Sequence, residues 1–569
     1  MLLPQNPNRA LHALLLPSST LLCVRVQPPY QPLQQLLPQR RRLSEPPRQP
    51  GCKQSRRHQH RIPPPPLPSS LPSHAAASRS LSRSPAAITR DLKAATRMRG
   101  PAMIAALADI VNSHEKALNG IHCSLVLAAL ARSSSSSGTG RKAHHLREAA
   151  AVVLPVAERQ LLRQILLLLQ ENLILVADAR TVASCTWALA RLSSESATSD
   201  DGRGDSDSVG SLSDHRVKID DSDSSSLHQE MAFTVKSLVS RAATVLLSFN
   251  SQDISLTLWG LATLRYDAGH CHIQGSQFLE QASALASGLA MSASSQSLSN
   301  SLWSFATLGF RPEWKEVERL LDAAVLKVRS FEAQHLSNSL WALAKLQHRT
   351  ATNFPLLASR EMESRIDTFN AQNVSNAVTA MTQLGFRPPE STLAAAAWCL
   401  RSNVQNYTPQ NLSSLLHALA KQSFHLDETT MLCAQAAVSR SASAFSARDV
   451  TTTCWAFTVM QDEGAAGDLD FSSRSRSRSR CLRALEGAAL NHMAAFDAQE
   501  LSTVLWALAQ LLVHVDERLL EQARWAVLQK VTDFSPQDLA MTTLAASLLA
   551  SRFTLLASPP LPPPQPTDR

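Results

Sequence analysis

Amide, carboxylate and hydroxyl side chains recur in this chain at fixed intervals, a near-constant Gln column suited to phosphate or ribose and varying polar columns suited to base edges. Gln stands at 252, 296, 334, 372, 410, 499 and 537. The next column is always polar but changes in type: Asp253, Ser297, His335, Asn373, Asn411, Asp449, Glu500 and Asp538. Three residues further on come Asn300, Asn338, Asn376, Ser414, Thr452 and Thr503. Amides, carboxylates and hydroxyls offer different sets of donors and acceptors, so a column that stays polar while varying suits base-by-base reading. Arrays that hold one base on two or three side chains per repeat read single-stranded RNA in this way. The candidate RNA contacts are therefore Gln296, Asn300, Gln334, His335, Asn338, Gln372, Asn373, Asn376, Gln410, Asn411, Ser414, Asp449 and Thr452. The plainer alternative is a solvated helix face whose Gln column satisfies the helix start.

The element that must carry these residues is a helix repeated at a period of 38. The phrase Leu298-Ser-Asn-Ser-Leu-Trp303 returns as Leu336-Ser-Asn-Ser-Leu-Trp341 and as Val374-Ser-Asn-Ala-Val-Thr379. Its last position defines a column through Trp187, Trp259, Trp303, Trp341, Thr379, His417, Trp455, Trp506 and Leu544, with a faint earlier copy near Ala128. Ten residues before this column stands an aromatic in most units (Phe249, Phe331, Phe369, Tyr407, Phe445, Phe496, Phe534), followed by a residue of capping type. Five before it the residue is always aliphatic, and the two together form a hydrophobic staple around the cap. Leu336, Leu340, Leu343 and Ala344 share one face at 3.6-residue spacing. The Trp column itself reads as packing between repeats, because Leu and Thr substitute for Trp, with base stacking as the alternative. A second amphipathic helix spans Arg311 to Val328 and opens at Pro312. Neither helix of such a pair can bury its apolar face without neighbours, so nine or ten stacked pairs account for about residues 100–555.

Composition fits packed helices and excludes several classes. The chain has 569 residues, 44% of them apolar but only 5% aromatic. The nine Cys form no C-x-x-C pair, which argues against a disulfide framework and a structural zinc site. His270-Cys271-His272 reads as a loop rather than a ligand cluster. No phosphate-cradling glycine loop and no nucleophile–base arrangement stands out, so the expectation is a protein that is not an enzyme and uses no cofactor or small-molecule substrate. No run of about 18 apolar residues lacks charge or Pro, so no membrane insertion is expected.

The net charge of +9 is unevenly distributed. Residues 1–90 hold 13 Lys or Arg and one acid, Glu45, which leaves the remainder slightly acidic. Residues 1–98, rich in Arg, Ser and Pro, read as an organelle targeting segment, mitochondrial or chloroplast, with a disordered basic tail on a cytosolic or nuclear protein as the alternative. The expected organisation continues with degenerate repeats over 99–192 and a disordered acidic insert over 193–230. The main array follows over 231–555, carrying a Ser-Arg insert near 472–480, and a Pro-rich tail covers 556–569. The run Ser473-Arg-Ser-Arg-Ser-Arg-Ser-Arg480 reads as a loop expansion, with a phosphorylation-controlled or nucleic-acid-binding segment as the alternative.

The phrase Leu336-Ser-Asn-Ser-Leu-Trp-Ala-Leu-Ala-Lys-Leu346 and the element Phe310-Arg-Pro-Glu-Trp314 resemble octatricopeptide repeats, and Phe386-Arg-Pro-Pro-Glu390 repeats the second. Related arrays occur in FAST-kinase-like organelle RNA proteins and in RNA-editing substrate-binding complexes. The resemblance implies an all-α fold, a right-handed α-solenoid of stacked helical hairpins. It further implies binding of single-stranded organelle RNA in transcript processing, stability, splicing or translation, with other organelle RNA-processing proteins as further partners. Thr379, His417 and Leu544 depart from the family's Trp. No C-terminal nuclease-like RAP module is expected, because repeats run to about Leu555. The rival reading is a protein-binding scaffold resembling armadillo or HEAT arrays, which the weak net charge of the repeat region permits.

Overall fold

The computed structural model describes residues 84–136, 155–194, 222–266, 272–460, 473–511 and 516–557, and these are all-α. In chain order the helices are α1 (Pro85–Ala95), α2 (Pro101–His114), α3 (Gly120–Ser136), α4 (Val156–Leu168, continued through a π turn to Val176), α5 (Ala179–Ser194) and α6 (Ser222–Val245). The regular part follows as α7 (Ser251–Thr263), α8 (His272–Gly288), α9 (Ser295–Thr307), α10 (Trp314–Lys327), α11 (Ala333–Lys345), α12 (Phe354–Ser364), α13 (Ala371–Gln383), α14 (Glu390–Asn403) and α15 (Pro409–Lys421). The array closes with α16 (Glu428–Ser441), α17 (Ala447–Val459), α18 (Ser473–Asn491), α19 (Ala498–Leu511), α20 (Glu517–Lys530) and α21 (Pro536–Ala557). Each odd-numbered helix packs against the odd helices before and after it, and the even helices form a second layer in the same way. This is the expected solenoid of helical hairpins.

Each odd helix starts where its sequence dictates. Asn250, Ser294, Asn370, Thr408 and Ser446 cap α7, α9, α13, α15 and α17 through side-chain oxygens that accept from backbone N–H groups of the first turn. The staple is in place, with Phe331, Phe369 and Phe445 buried before the cap and Leu336, Val374 and Val450 buried after it. The helices stop through a shared device. Arg265, Gly309, Gln347, Gly385 and Ser423 take positive φ six residues after the Trp column. The next residue donates its N–H back across the last turn, as from Phe310 to Phe305 O (3.0 Å) and from His348 to Leu343 O (2.9 Å).

Lateral spacing of the odd helices is set by a column of small residues one after the Trp column: Ala188, Gly260, Ser304, Ala342, Ala380, Ala418, Ala456, Ala507 and Ala545, all buried. A Cβ on Gly260 would lie 2.9 Å from the backbone oxygen of Thr186 in α5. Units are further tied by side chains at the ends of even helices. Lys327 donates to Met291 O (2.8 Å) and Ala293 O (2.5 Å), Arg365 to Phe331 O (3.1 Å), and Lys530 to Ala494 O (2.9 Å).

Several boundaries differ from expectation. Residues 85–95 lie within the supposed targeting segment, yet they form α1, whose Ile88, Leu92 and Ala95 are buried. Thr89 Oγ1 and His122 Nε2 lie 3.0 Å apart, which joins α1 to α3. That apolar stripe is too short to stand out among Arg and Ser. The Ser-Arg run is not a loop: Ser473–Asn491 is one helix, because Cys481, Leu482 and Leu485 anchor it in the even layer. Likewise α6 begins at Ser222, inside the supposed insert, and α5 extends to Ser194. The helix after Phe310 opens at Trp314 rather than Pro312, since Glu313 and Glu316 form a capping box there. Residues 226–248 are long and apolar enough to cross a membrane. They nonetheless lie in the even layer, where Arg241 Nε donates to Ala177 O (2.8 Å) and Gln170 Nε2 to Thr234 Oγ1 (2.8 Å). Residues 270 and 271, with most of the acidic insert and the Pro-rich tail, lie outside the described residues.

Two stability measurements follow. Gly260→Ala is expected to lower the thermal midpoint, because overpacking against the α5 backbone costs about 1–3 kcal/mol and outweighs the helix propensity gained. Gln347→Gly is expected to raise it, since it relieves a left-handed backbone at a cost to the unfolded chain of roughly 1 kcal/mol or less.

Candidate nucleic-acid interface

The odd helices expose one stripe each, and the stripes lie side by side. Relative to the Trp column its positions are −7, −3, 0 and +4, which share a face at helical spacing. At −7 the array carries Arg180, Gln252, Gln296, Gln334, Gln372, Gln410, Arg448, Gln499 and Gln537, all exposed. At −3 Asn300, Asn338, Asn376, Ser414, Thr452 and Thr503 are half-buried. At +4 Arg191, Thr263, Thr307, Lys345, Gln383, Lys421, Val459 and Gln510 continue the face. Not one of these positions from α5 to α21 holds Asp or Glu, while five hold Lys or Arg. Side-chain amides of Gln296, Gln334, Gln372, Gln410, Asn300, Asn338 and Asn376 make no hydrogen bond among the described residues, so their donors and acceptors are open to a ligand. Thr452 differs, because its hydroxyl donates to Arg448 O (2.8 Å) in its own helix.

The −6 column, with the base-reading candidates His335, Asn373 and Asp449, lies beside this stripe rather than on it. It occupies the third helical position, where capping engages polar atoms of His335 and Asp449. Glu332 N donates to His335 Nδ1 (3.2 Å). Asp449 Oδ2 accepts from Ser446 N (3.1 Å) and Oγ (2.8 Å). Its Oδ1 accepts from Ser413 Oγ of the preceding unit (2.5 Å). Ser502 donates to Asp538 Oδ1 (3.1 Å) in the same register, and Ser337 makes a longer contact to Asn373 Oδ1 (3.4 Å). Asn411 holds the equivalent position in α15, half-buried, with its backbone N–H on Thr408 Oγ1 (3.2 Å). Variation in this column reflects interchangeable caps rather than a code. Gln296, Asn300, Gln334, Asn338, Gln372, Asn376, Gln410 and Ser414 do come together on one surface.

The Trp column lies at the seam between the apolar face and this stripe. Trp187, Trp259, Trp303, Trp341, Thr379, His417 and Trp455 are half-buried on the amide stripe, while the residues before and after each of them are buried. Trp506 alone among them is fully buried, and its Nε1 has no partner among the described residues. The His417 and Trp455 rings meet edge to face across units, with centroids 5.0 Å apart. Burial, reinforced by Lys421 and Arg448, holds His417 down to about 4, so it is neutral near pH 7. The cations on the face had one signal in the sequence, Arg replacing Gln at 180 and 448, but only the packing shows that Arg448 and Lys421 flank one histidine.

Residues 247–456 match the family model described as Tbc2 translation factor, N-terminal domain. The match runs from just before α7 into α17 and covers the units from Trp259 to Trp455. No curated protein matches the chain. These units therefore form a helical repeat domain of a type found in a translation factor, which points to a role related to RNA and translation.

Two measurements probe this surface. Asp449→Ala is expected to lower the thermal midpoint through a lost capping box and cross-unit bond worth about 1 kcal/mol, and Asn373→Ala to lower it less, through the longer Ser337 contact alone. His417 has a folded value below its unfolded one, so the unfolded chain takes up the proton first as pH falls. Its contribution is lost progressively from about pH 6.5 to about 4. His417→Thr should flatten the pH dependence of the thermal midpoint within that window.

Proposed function

We propose that this chain binds single-stranded RNA along the odd-helix stripe and acts in organelle gene expression at the level of translation or transcript maturation. The observation that carries this reading is a stripe of unpaired amides whose −7, −3, 0 and +4 positions hold no Asp or Glu, with Arg180, Lys345, Lys421 and Arg448 distributed along it, Arg180 also pairing with Asp253 (3.9 Å). Phosphates require cations and tolerate no carboxylates, while amides at −7 and −3 suit ribose and base edges. A translation factor match over the same units and the likeness to octatricopeptide arrays support the same reading. The Arg- and Ser-rich residues before α1 supply the organelle assignment, mitochondrion or chloroplast, and the role needs neither catalysis nor a cofactor.

Binding of an unstructured RNA to the full chain should weaken linearly in log–log with salt, and Lys421→Ala with Arg448→Ala should flatten that slope by roughly 0.7 per cation. Salt-independent binding, or none, would favour the protein-scaffold alternative. Crosslinking in cells followed by sequencing of the attached RNA would define the target. Against it, Asn338→Ala and Asn376→Ala should each cost on the order of 1 kcal/mol without changing helix content. A fluorescent fusion of residues 1–83 should concentrate in an organelle, and a diffuse signal would remove that part of the reading.

A further inference from the structure

We propose that Trp187, Trp259, Trp303 and Trp341 form a continuous base-stacking platform, one indole per unit, running through the amide stripe. The inference rests on the RNA-binding reading above and names side chains that reading does not use. In sequence the four are unevenly spaced, with 72 residues between Trp187 and Trp259. In the fold α5 packs directly on α7, α7 on α9 and α9 on α11, so the four indoles occupy consecutive units. Ala128 precedes them in α3 and Thr379 follows them in α13, which bounds the platform at both ends.

These residues lie outside the innermost core. The core of the same units is filled by Leu258, Leu302, Phe305, Leu340 and Leu343, none more than 1% exposed. Trp506 is covered at 7% exposure, whereas these four remain partly exposed beside the polar stripe. Each carries Gln or Arg seven residues earlier, and at Trp303 and Trp341 an Asn stands three residues earlier on the same face. An aromatic surface for the base beside amides for its edge is the pairing that single-strand recognition uses.

A base stacked between two rings needs about 3.5 Å on either side, so it requires indoles that are not already in contact. Among the described residues none of the four indoles is in ring contact with another aromatic. The His417–Trp455 pair shows the contrasting case: at 5.0 Å and 61° its rings already occupy each other's space. Stacking is therefore assigned to the four consecutive Trp units and not to this pair.

The test uses the full chain, a fluorescent random pool of unstructured 16-nucleotide RNAs, and an abasic ribose-phosphate strand of the same length. Replacing both Trp303 and Trp341 with Leu should weaken binding of the pool by roughly tenfold per Trp. It should leave abasic binding unchanged, and the Phe pair should restore most of the loss. Pool binding within twofold of wild type, or equal losses on pool and abasic strands, would overturn the platform while leaving the RNA reading intact. Failure of the wild-type chain to bind any member of the pool overturns both. If the Leu pair loses helix content, the single change Trp303→Thr answers the same question, since the fold already accepts Thr379 at this position.

Discussion

Close lateral packing of the odd helices is the constraint on which the rest of the molecule depends. A column of Ala, Ser and Gly, one residue after the Trp column, lets successive helices approach, and at Gly260 the approach brings a neighbouring carbonyl within reach of a Cβ. Everything functional follows from that spacing. It brings Ser413 against Asp449 and Ser502 against Asp538, so in these two units the capping carboxylate is also bonded by the preceding unit. It also aligns the exposed stripes into one surface rather than separate ridges. A solenoid has no central core to impose order, so each interface must carry its own register.

That surface resolves an apparent conflict in the charge balance. Away from the basic N-terminal residues the chain is slightly acidic, which by itself argues against a phosphate-binding protein. Acidic residues are absent from the exposed stripe and used elsewhere: in caps (Asp449, Asp538), in the buried contact of Glu318 with His348 (2.6 Å), and on even helices. Electrostatic recognition depends on the local sign of a face, not on the sum over the chain.

The end of the array shows how far interfaces decide exposure. Five residues before the Trp column the aliphatic side chain is at most 1% exposed from Val182 through Leu501, yet Leu539 in α21 is 42% exposed. Its type and place in the helix are the same as those of Leu501. Only the next unit is lacking among the described residues, so burial here belongs to the neighbour rather than to the residue.

The sequence by itself determined the unit. Period, caps, staple and apolar face were all legible because they are local, set by spacing within one helix and by residues that satisfy its first turn. The Gln and Asn columns were legible as polar for the same reason. Tertiary structure decided what one helix cannot encode. It separated the −6 column, spent on caps and cross-unit bonds, from the −7 and −3 columns, which stay open, although all three look equally polar in the sequence. It turned the Trp column outward, because its half-burial is shared between two units. It drew α1 and the Ser-Arg helix into the array through a few apolar residues hidden among Arg and Ser. Finally, it set Trp187 beside Trp259 across a long insertion, since stacking depends on which helices are adjacent and not on how much chain separates them.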